Sequence, residues 1–161
     1  MRRVPEPTRP GVTRPVRIAV IGAGVIGRLH ATLVAAGSDS QLVAIADPAP
    51  GAADLAAELG VAWYADHDTL LAQERIDGAI IAVPTGQHAR VGIDCVAAGV
   101  HILVEKPIAA DLVQADELAT LAEKGNLVLQ VGHLERFSAA YRALSARTRA
   151  PLYIEDRKSV V

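Results

Sequence analysis

The sequence predicts an α/β domain built on a doubly wound parallel sheet. Short β-branched apolar runs recur along the 161 residues, helix-length segments separate most of them, and several of those segments end at a glycine. Near-continuous apolar runs are what strands buried on both faces look like. Their alternation with helices places helices on both faces of a parallel sheet.

Residues 1–15 (MRRVPEPTRPGVTRP) hold four prolines and four arginines and almost no bulky apolar side chain. They predict a disordered tail, with order beginning at Pro15. The first strand is Val16–Ile21 (VRIAVI), followed by a helix over Ile26–Ala36. Leu42–Ala46 (LVAIA) is the second, with a helix over Ala52–Leu59. Val61–Tyr64 is a weaker strand with shorter connections around it. Ala79–Val83 (AIIAV) precedes a helix over Gln87–Ala98, Val100–Val104 (VHILV) precedes a helix over Leu112–Lys124, and Leu127–Val131 (LVLQV) ends the series. Gly37, Gly60, Gly99 and Gly125 stand where a left-handed helix C-cap belongs. Asp111, three positions before Gln114, reads as an N-cap with a capping-box partner. No internal repeat of fixed period is present.

Composition narrows the function classes. Hydrophobic residues are 51%, charged residues 21% and the net charge -2. This is an ordinary globular balance, without the basic excess of a nucleic-acid surface. Aromatics are only 3%, so the core has to be Ala, Val, Ile and Leu. No apolar run approaches the ~20 residues of a membrane span. Arg2 and Arg3 have no apolar segment behind them to make a secretory signal. Cys95 is the one cysteine. It has no internal disulfide partner and no basic neighbour to stabilise a thiolate, so it reads as core, and the default setting is reducing and cytoplasmic.

Ligands of such sheets bind at the carboxyl ends of the strands, so the residues after each run carry the chemistry. Gly22-Ala23-Gly24-Val25-Ile26-Gly27 is G-x-G-x-x-G between a strand and a helix. Gly22 permits the tight turn, Gly24 lets a pyrophosphate approach the backbone, and Gly27 lets the helix pack closely. The helix start through Val25 and Ile26 offers free N–H groups and a positive dipole end. A glycine turn without a ligand has the same look, and the second run decides between the two. It ends at Asp47, twenty positions after Gly27, the spacing of an acid that binds adenosine ribose hydroxyls. A carboxylate there repels a 2′-phosphate, and Pro48 and Ala49 supply no arginine to receive one, which favours NAD over NADP. A helix cap at Asp47, or a methyltransferase-like nucleotide fold, are the competing readings.

Pro84-Thr85-Gly86-Gln87-His88 and Glu105-Lys106-Pro107 follow the next two main runs. They lie on the edge of the glycine turn and are expected to border the nicotinamide, with Pro84, Thr85 and His88 as cofactor contacts. A lysine at that edge can polarise a carbonyl or hydrogen-bond a hydroxyl beside the hydride acceptor. A solvated surface lysine paired with Glu105 fits Lys106 equally well.

GAGVIGRLHA at Gly22–Ala31, the Ala46-Asp47 pair, PTGQH at Pro84–His88 and above all AAGVHILVEKPIA at Ala97–Ala109 resemble the Gfo/Idh/MocA family of oxidoreductases. The likeness spans residues 16–140, and the EKP tripeptide is its most specific element. The resemblance implies a Rossmann domain of an NAD(P)-dependent dehydrogenase or reductase acting on sugars, cyclitols or related compounds. It implies that Lys106 contacts the reacting substrate, that Glu105 and Pro107 shape the nicotinamide pocket, and that the Lys106–Pro107 bond is cis. Gly132-His133-Leu134-Glu135-Arg136-Phe137 is similar to the subgroup acting on UDP-activated amino sugars. That likeness places His133 and Arg136 on the substrate side; a helix-surface arginine and a core phenylalanine are the plainer readings of Arg136 and Phe137.

The other candidates read as structural. His30 is a packing residue on the first helix, His101 sits in a buried strand, and Trp63 and Tyr64 pack at a strand end. His67, between Asp66 and Asp68, starts a helix without a convincing ligand set, so no metal is expected.

The resemblance also implies a second α/β domain carrying much of the substrate pocket and a homo-oligomeric interface. The NAD-binding domain is assigned to 16–150 and a truncated start of the second domain to 151–161, where Pro151–Glu155 reads as an opening strand. The closing DRKSVV matches one reading frame of a common sequencing adapter, so a non-native end is expected. The combined expectation is an NAD-dependent oxidoreductase fragment, inactive alone, whose parent moves hydride to or from a sugar-like small molecule, with no nucleic-acid or membrane partner. The alternative is a non-catalytic NAD(H)-binding module or redox-responsive regulator.

Overall fold

The computed structural model describes residues 14–147. The expectations for the tail before Arg14 and for 151–161 lie outside the described residues. Six strands form one sheet: β1 (Val16–Ile21), β2 (Ser40–Ala46), β3 (Ala62–Tyr64), β4 (Gly78–Ile81), β5 (His101–Val104) and β6 (Leu129–Val131). All pairings are parallel and the order is β3-β2-β1-β4-β5-β6. The strand order reverses direction between β1 and β4, which is where a doubly wound sheet opens its ligand crevice. Among the described residues six α-helices accompany it: α1 (Val25–Ala36), α2 (Pro50–Leu59), α3 (His67–Gln73), α4 (His88–Ala97), α5 (Leu112–Lys124) and α6 (Ala139–Arg147).

Alternation along the central strands builds two apolar layers. Val20 of β1 and Leu42 and Ile45 of β2 pack with Ala31, Ala52, Leu55 and Ala56 from α1 and α2. Ala19 and Ile21 point the other way, onto a layer with Leu70 of α3, Val91 and Cys95 of α4, and Leu118 and Ala122 of α5. Small and β-branched side chains fill both layers, so the low aromatic content is matched by close helix–sheet contact.

The structure departs from the sequence reading at several boundaries. Gly60 and Gly99 are left-handed as expected, with φ of 69° and 77°. Gly37 is extended at φ -77°, and Gly125 is right-handed at φ -78°. After α5 the left-handed position falls one residue later, on Asn126 at φ 52°, a residue type that tolerates it. Asp111 caps α5 by accepting from the Gln114 N–H at 2.9 Å. For α3 only the start at His67 is expected, and it is capped by Asp66 accepting from Thr69 N–H at 2.7 Å; α6, which buries none of its side chains, had no forecast. His101 is exposed, and its Nδ1 accepts the Val128 N–H at 2.9 Å.

The chain is already fixed at Arg14, one residue before the expected start of order. Its guanidinium donates to both carboxylate oxygens of Asp77 at 2.8 Å, and the Arg17 N–H donates to the same group. The Arg14 hydrogen bonds, then the Arg17 N–H, hold the Asp77 carboxyl down to about 2. This network sits at the amino end of the sheet, away from the ligand edge. No helix of the described residues is long and apolar enough to cross a membrane.

Candidate cofactor and substrate site

The turn between β1 and α1 requires glycine at two positions and leaves a third open. Gly22 has φ +96°, and a Cβ there would run into the Ala82 and Val83 backbone. At Gly27 a Cβ would collide with the Gly22 carbonyl oxygen. Gly24 has ordinary extended angles, φ -64° and ψ -170°, and its Cβ would meet nothing within 4 Å. The space above Gly24 is therefore free for a ligand. Helix α1 begins there with no side-chain cap and no acidic residue in its first turn. Its first N–H groups, around exposed Val25 and Ile26, are the donors that a phosphate would satisfy.

Asp47 leaves β2 directly beside this turn. One carboxylate oxygen accepts the Ala23 N–H at 2.6 Å and the other accepts the Ala49 N–H at 2.8 Å. It is not the cap of α2, because Ala49 occupies that position ahead of Pro50. Each carboxylate oxygen keeps a lone pair for a hydroxyl donor. The half-exposed Trp63 flanks the same loop, its indole N–H donating to the Asp47 carbonyl at 3.1 Å. Arg28 from α1 also reaches this end, donating to the Gly51 carbonyl at 2.6 Å. Arg28 precedes Asp47 by nineteen positions, outside the Pro48-Ala49 segment in which the sequence offers no arginine.

On the other side of the switch point, β4 leads through exposed Pro84 and half-buried Thr85 into a 3-10 turn and α4. His88 is only 2% exposed. Its Nδ1 lies 2.7 Å from the Pro107 carbonyl oxygen and its Nε2 lies 2.8 Å from that of Val83. The ring therefore staples two ligand-edge loops together and has no surface to offer a cofactor, in contrast to its expected role as a direct contact. Lys106 and Pro107 are exposed at the end of β5, joined by a cis peptide bond. Among the described residues no carboxylate lies within ion-pair distance of the Lys106 ammonium. Glu105 is engaged elsewhere, with Oε1 2.9 Å from His30 Nε2. Beyond β6, exposed His133 precedes a short 3-10 turn over Leu134–Phe137 that carries exposed Arg136, and Phe137 is exposed rather than core.

The His30–Glu105 pairing joins residues 75 positions apart, so sequence periodicity had no means of finding it. A second group joins the start of α3, after the carboxyl end of β3, to α4. His67 Nε2 is 2.9 Å from Asp94 and 3.5 Å from Asp68, and their ligand atoms all fall within 4.8 Å of one another. The sequence reading weighed His67 only against its neighbours, whereas Asp94 comes from α4. The Arg90 guanidinium approaches both carboxylates at 3.9 Å and competes with a metal cation for them. Cys95 is buried. Burial, and then the Asp94 charge, push its thiol up to about 12, so it supplies no thiolate near neutral pH.

A glycine turn opening onto an uncapped helix, an acid at the end of β2 and a crevice at the strand-order reversal define a dinucleotide-binding α/β domain. Residues 16–133 match the Gfo/Idh/MocA oxidoreductase family, described as an NAD-binding Rossmann fold, and the chain belongs to it. It is similar to UDP-N-acetylglucosamine 3-dehydrogenase of Acidithiobacillus ferrooxidans, at 41% identity over 89% of the chain and 45% of that protein. With the scyllo-inositol 2-dehydrogenase (NAD(+)) of Bacillus subtilis it shares 35% identity over 84% of the chain and 40% of the relative. The crystal structure of scyllo-inositol dehydrogenase from Lactobacillus casei, with bound NAD(H) and scyllo-inositol, superposes with a TM-score of 0.78 at 29% identity. That match covers 83% of the chain and 40% of the crystallised one. The chain thus spans less than half the length of these curated relatives.

Proposed function

We propose that this domain binds NAD(H) across the carboxyl edge of its sheet. On this reading it supplies one side of a hydride-transfer site in an oxidoreductase acting on a sugar, cyclitol or UDP-sugar. The observation that carries the reading is the open space over Gly24 after β1, with Asp47 at the end of the neighbouring β2 and the exposed Lys106 at the end of β5 across the strand-order reversal. Asp47 takes the adenosine ribose hydroxyls, and the first N–H groups of α1 take the pyrophosphate. Pro84, Thr85, Glu105 and Pro107 bound the nicotinamide end. NAD supplies the carbon that accepts or gives the hydride. Lys106 donates a hydrogen bond to the substrate oxygen on the reacting carbon, which favours the state in which that oxygen carries more negative charge. His133 and Arg136 orient the substrate from the β6 side. NAD is preferred to NADP because Asp47 repels a 2′-phosphate, while Arg28 is engaged with Gly51.

The second reading, an NAD(H)-holding module that turns nothing over, draws on the exposure of Lys106, His133 and Arg136 in the described residues. A turnover assay separates the two. A full-length protein carrying this domain is mixed with NAD and, in separate arms, a UDP-amino sugar, a free hexose and an inositol, and NADH is followed by absorbance. NADH formation in at least one arm is the expected result. NADH formation in none of them, with NAD binding intact, favours the module.

A further inference from the structure

We infer that His30 is a positioning residue that ties the EKP turn to the helix facing the pyrophosphate; this rests on the NAD(H) reading above. His30 lies on α1, three residues past Gly27. Its Nε2 is 2.9 Å from Glu105 Oε1, and the two side chains are only 14% and 11% exposed. The other carboxylate oxygen accepts the Lys106 N–H at 3.2 Å. The same carboxylate rests against Gly132, where a Cβ would stand 3.1 Å from Oε1. One nearly buried carboxylate therefore joins α1, the Glu105–Pro107 turn and the start of the turn after β6. His88 holds the far end of the EKP turn through the Pro107 carbonyl. Lys106 stands between these two anchors.

A buried carboxylate that loses a donor is costly, and it rearranges to find water or another partner. At Glu105 that rearrangement moves the Lys106 N–H bonded to it, and with it the turn that bounds the nicotinamide. Asp47 and the open space at Gly24 are held by other bonds, chiefly the Ala23 and Ala49 N–H groups. Loss of His30 should therefore fall on the nicotinamide half of the ligand and spare the adenosine half. A merely structural histidine would weaken both together.

The test compares NADH with ADP-ribose, which has the adenosine and both phosphates but no nicotinamide. Both are titrated into the wild-type chain, His30→Phe and His30→Gln, with a thermal melt of each. The wild type should bind NADH more tightly than ADP-ribose. In His30→Phe, NADH affinity should fall by about tenfold, the scale of a lost hydrogen bond to a charged group. ADP-ribose affinity should stay within about twofold, as for distant independent sites. His30→Gln keeps an N–H donor and should recover most of the NADH affinity. Parallel losses for both ligands, unchanged NADH affinity, or a wild type with no preference for NADH over ADP-ribose would overturn the inference. A wild type that binds neither ligand fails the NAD(H) reading itself, whereas failure of the inference alone leaves ADP-ribose binding by the wild type intact.

Discussion

Gly24→Val is expected to leave the domain folded and to remove its hold on a dinucleotide. At φ -64° and ψ -170° the backbone accepts any L-residue, and the new Cβ meets no protein atom within 4 Å. The valine instead occupies the space over the helix start, where the pyrophosphate needs direct access to backbone N–H groups. A thermal melt should move little, while NADH affinity should fall on the order of a hundredfold or more, the scale of losing several charge-assisted hydrogen bonds together. Gly22 and Gly27 provide the contrast. Side chains there run into the Ala82 backbone and the Gly22 carbonyl, so substitutions should damage folding before binding can be measured. A folded Gly24→Val protein with native NADH affinity would show that the pyrophosphate lies elsewhere.

Lys106→Met should lower kcat on the order of a hundredfold or more in a full-length protein carrying this domain, the usual scale for a lost polar catalytic group. Methionine keeps a long side chain and removes the charge and its donors. Help that grows as charge develops on the reacting oxygen appears mainly in kcat. NADH affinity should change little, because the proposed adenosine and pyrophosphate contacts are Asp47 and the glycine turn. The competing picture of a surface lysine predicts only a small stability effect. Among the described residues that picture has no carboxylate to pair with Lys106, since Glu105 is held by His30. Near-native turnover in a folded Lys106→Met protein would make the lysine a surface residue.

The elements that were legible in the sequence are those whose local pattern and final environment agree. β1 and β2 are buried on both faces over Ala19–Ile21 and Leu42–Ala46, so their apolar runs were sufficient, and α5 was bounded correctly by Asp111 and its apolar spacing. Only the start of α3 at His67 was legible, because the helix is seven residues long, opens with His67-Asp68-Thr69 and buries only Leu70. Helix α6 had no core-facing stripe to read, since Tyr141 and Leu144 are exposed. Gly37 and Gly125 do cap their helices, but without the expected left-handed conformation, because a glycine after a helix permits that turn without requiring it.

The same division runs through the site. The glycine turn and Asp47 are local signals tied to one strand–helix unit, and they lie together as the spacing implied. The partners of His30, His88 and His67 come from 75, 19 and 27 residues away, and single-sequence patterning carries no information about such contacts. His88 is instructive, because its place at the ligand edge was read correctly and its inward orientation was not. Backbone position at a strand end says which loop a residue belongs to, but not whether its side chain faces the crevice or the core.

The most direct measurement is a paired titration of NADH and NADPH into the 161-residue chain, following energy transfer from Trp63, its one tryptophan, beside the Asp47 loop. Saturable NADH binding, tighter than NADPH by about tenfold or more, is the predicted result, because a carboxylate that accepts from a ribose diol repels a 2′-phosphate. Asp47→Ser combined with Pro48→Arg should erase or invert that preference. Tighter NADPH than NADH binding in the wild type would contradict the role given to Asp47 and point to Arg28 as a phosphate partner. Failure of both nucleotides to bind would contradict the assignment of this edge as a dinucleotide site.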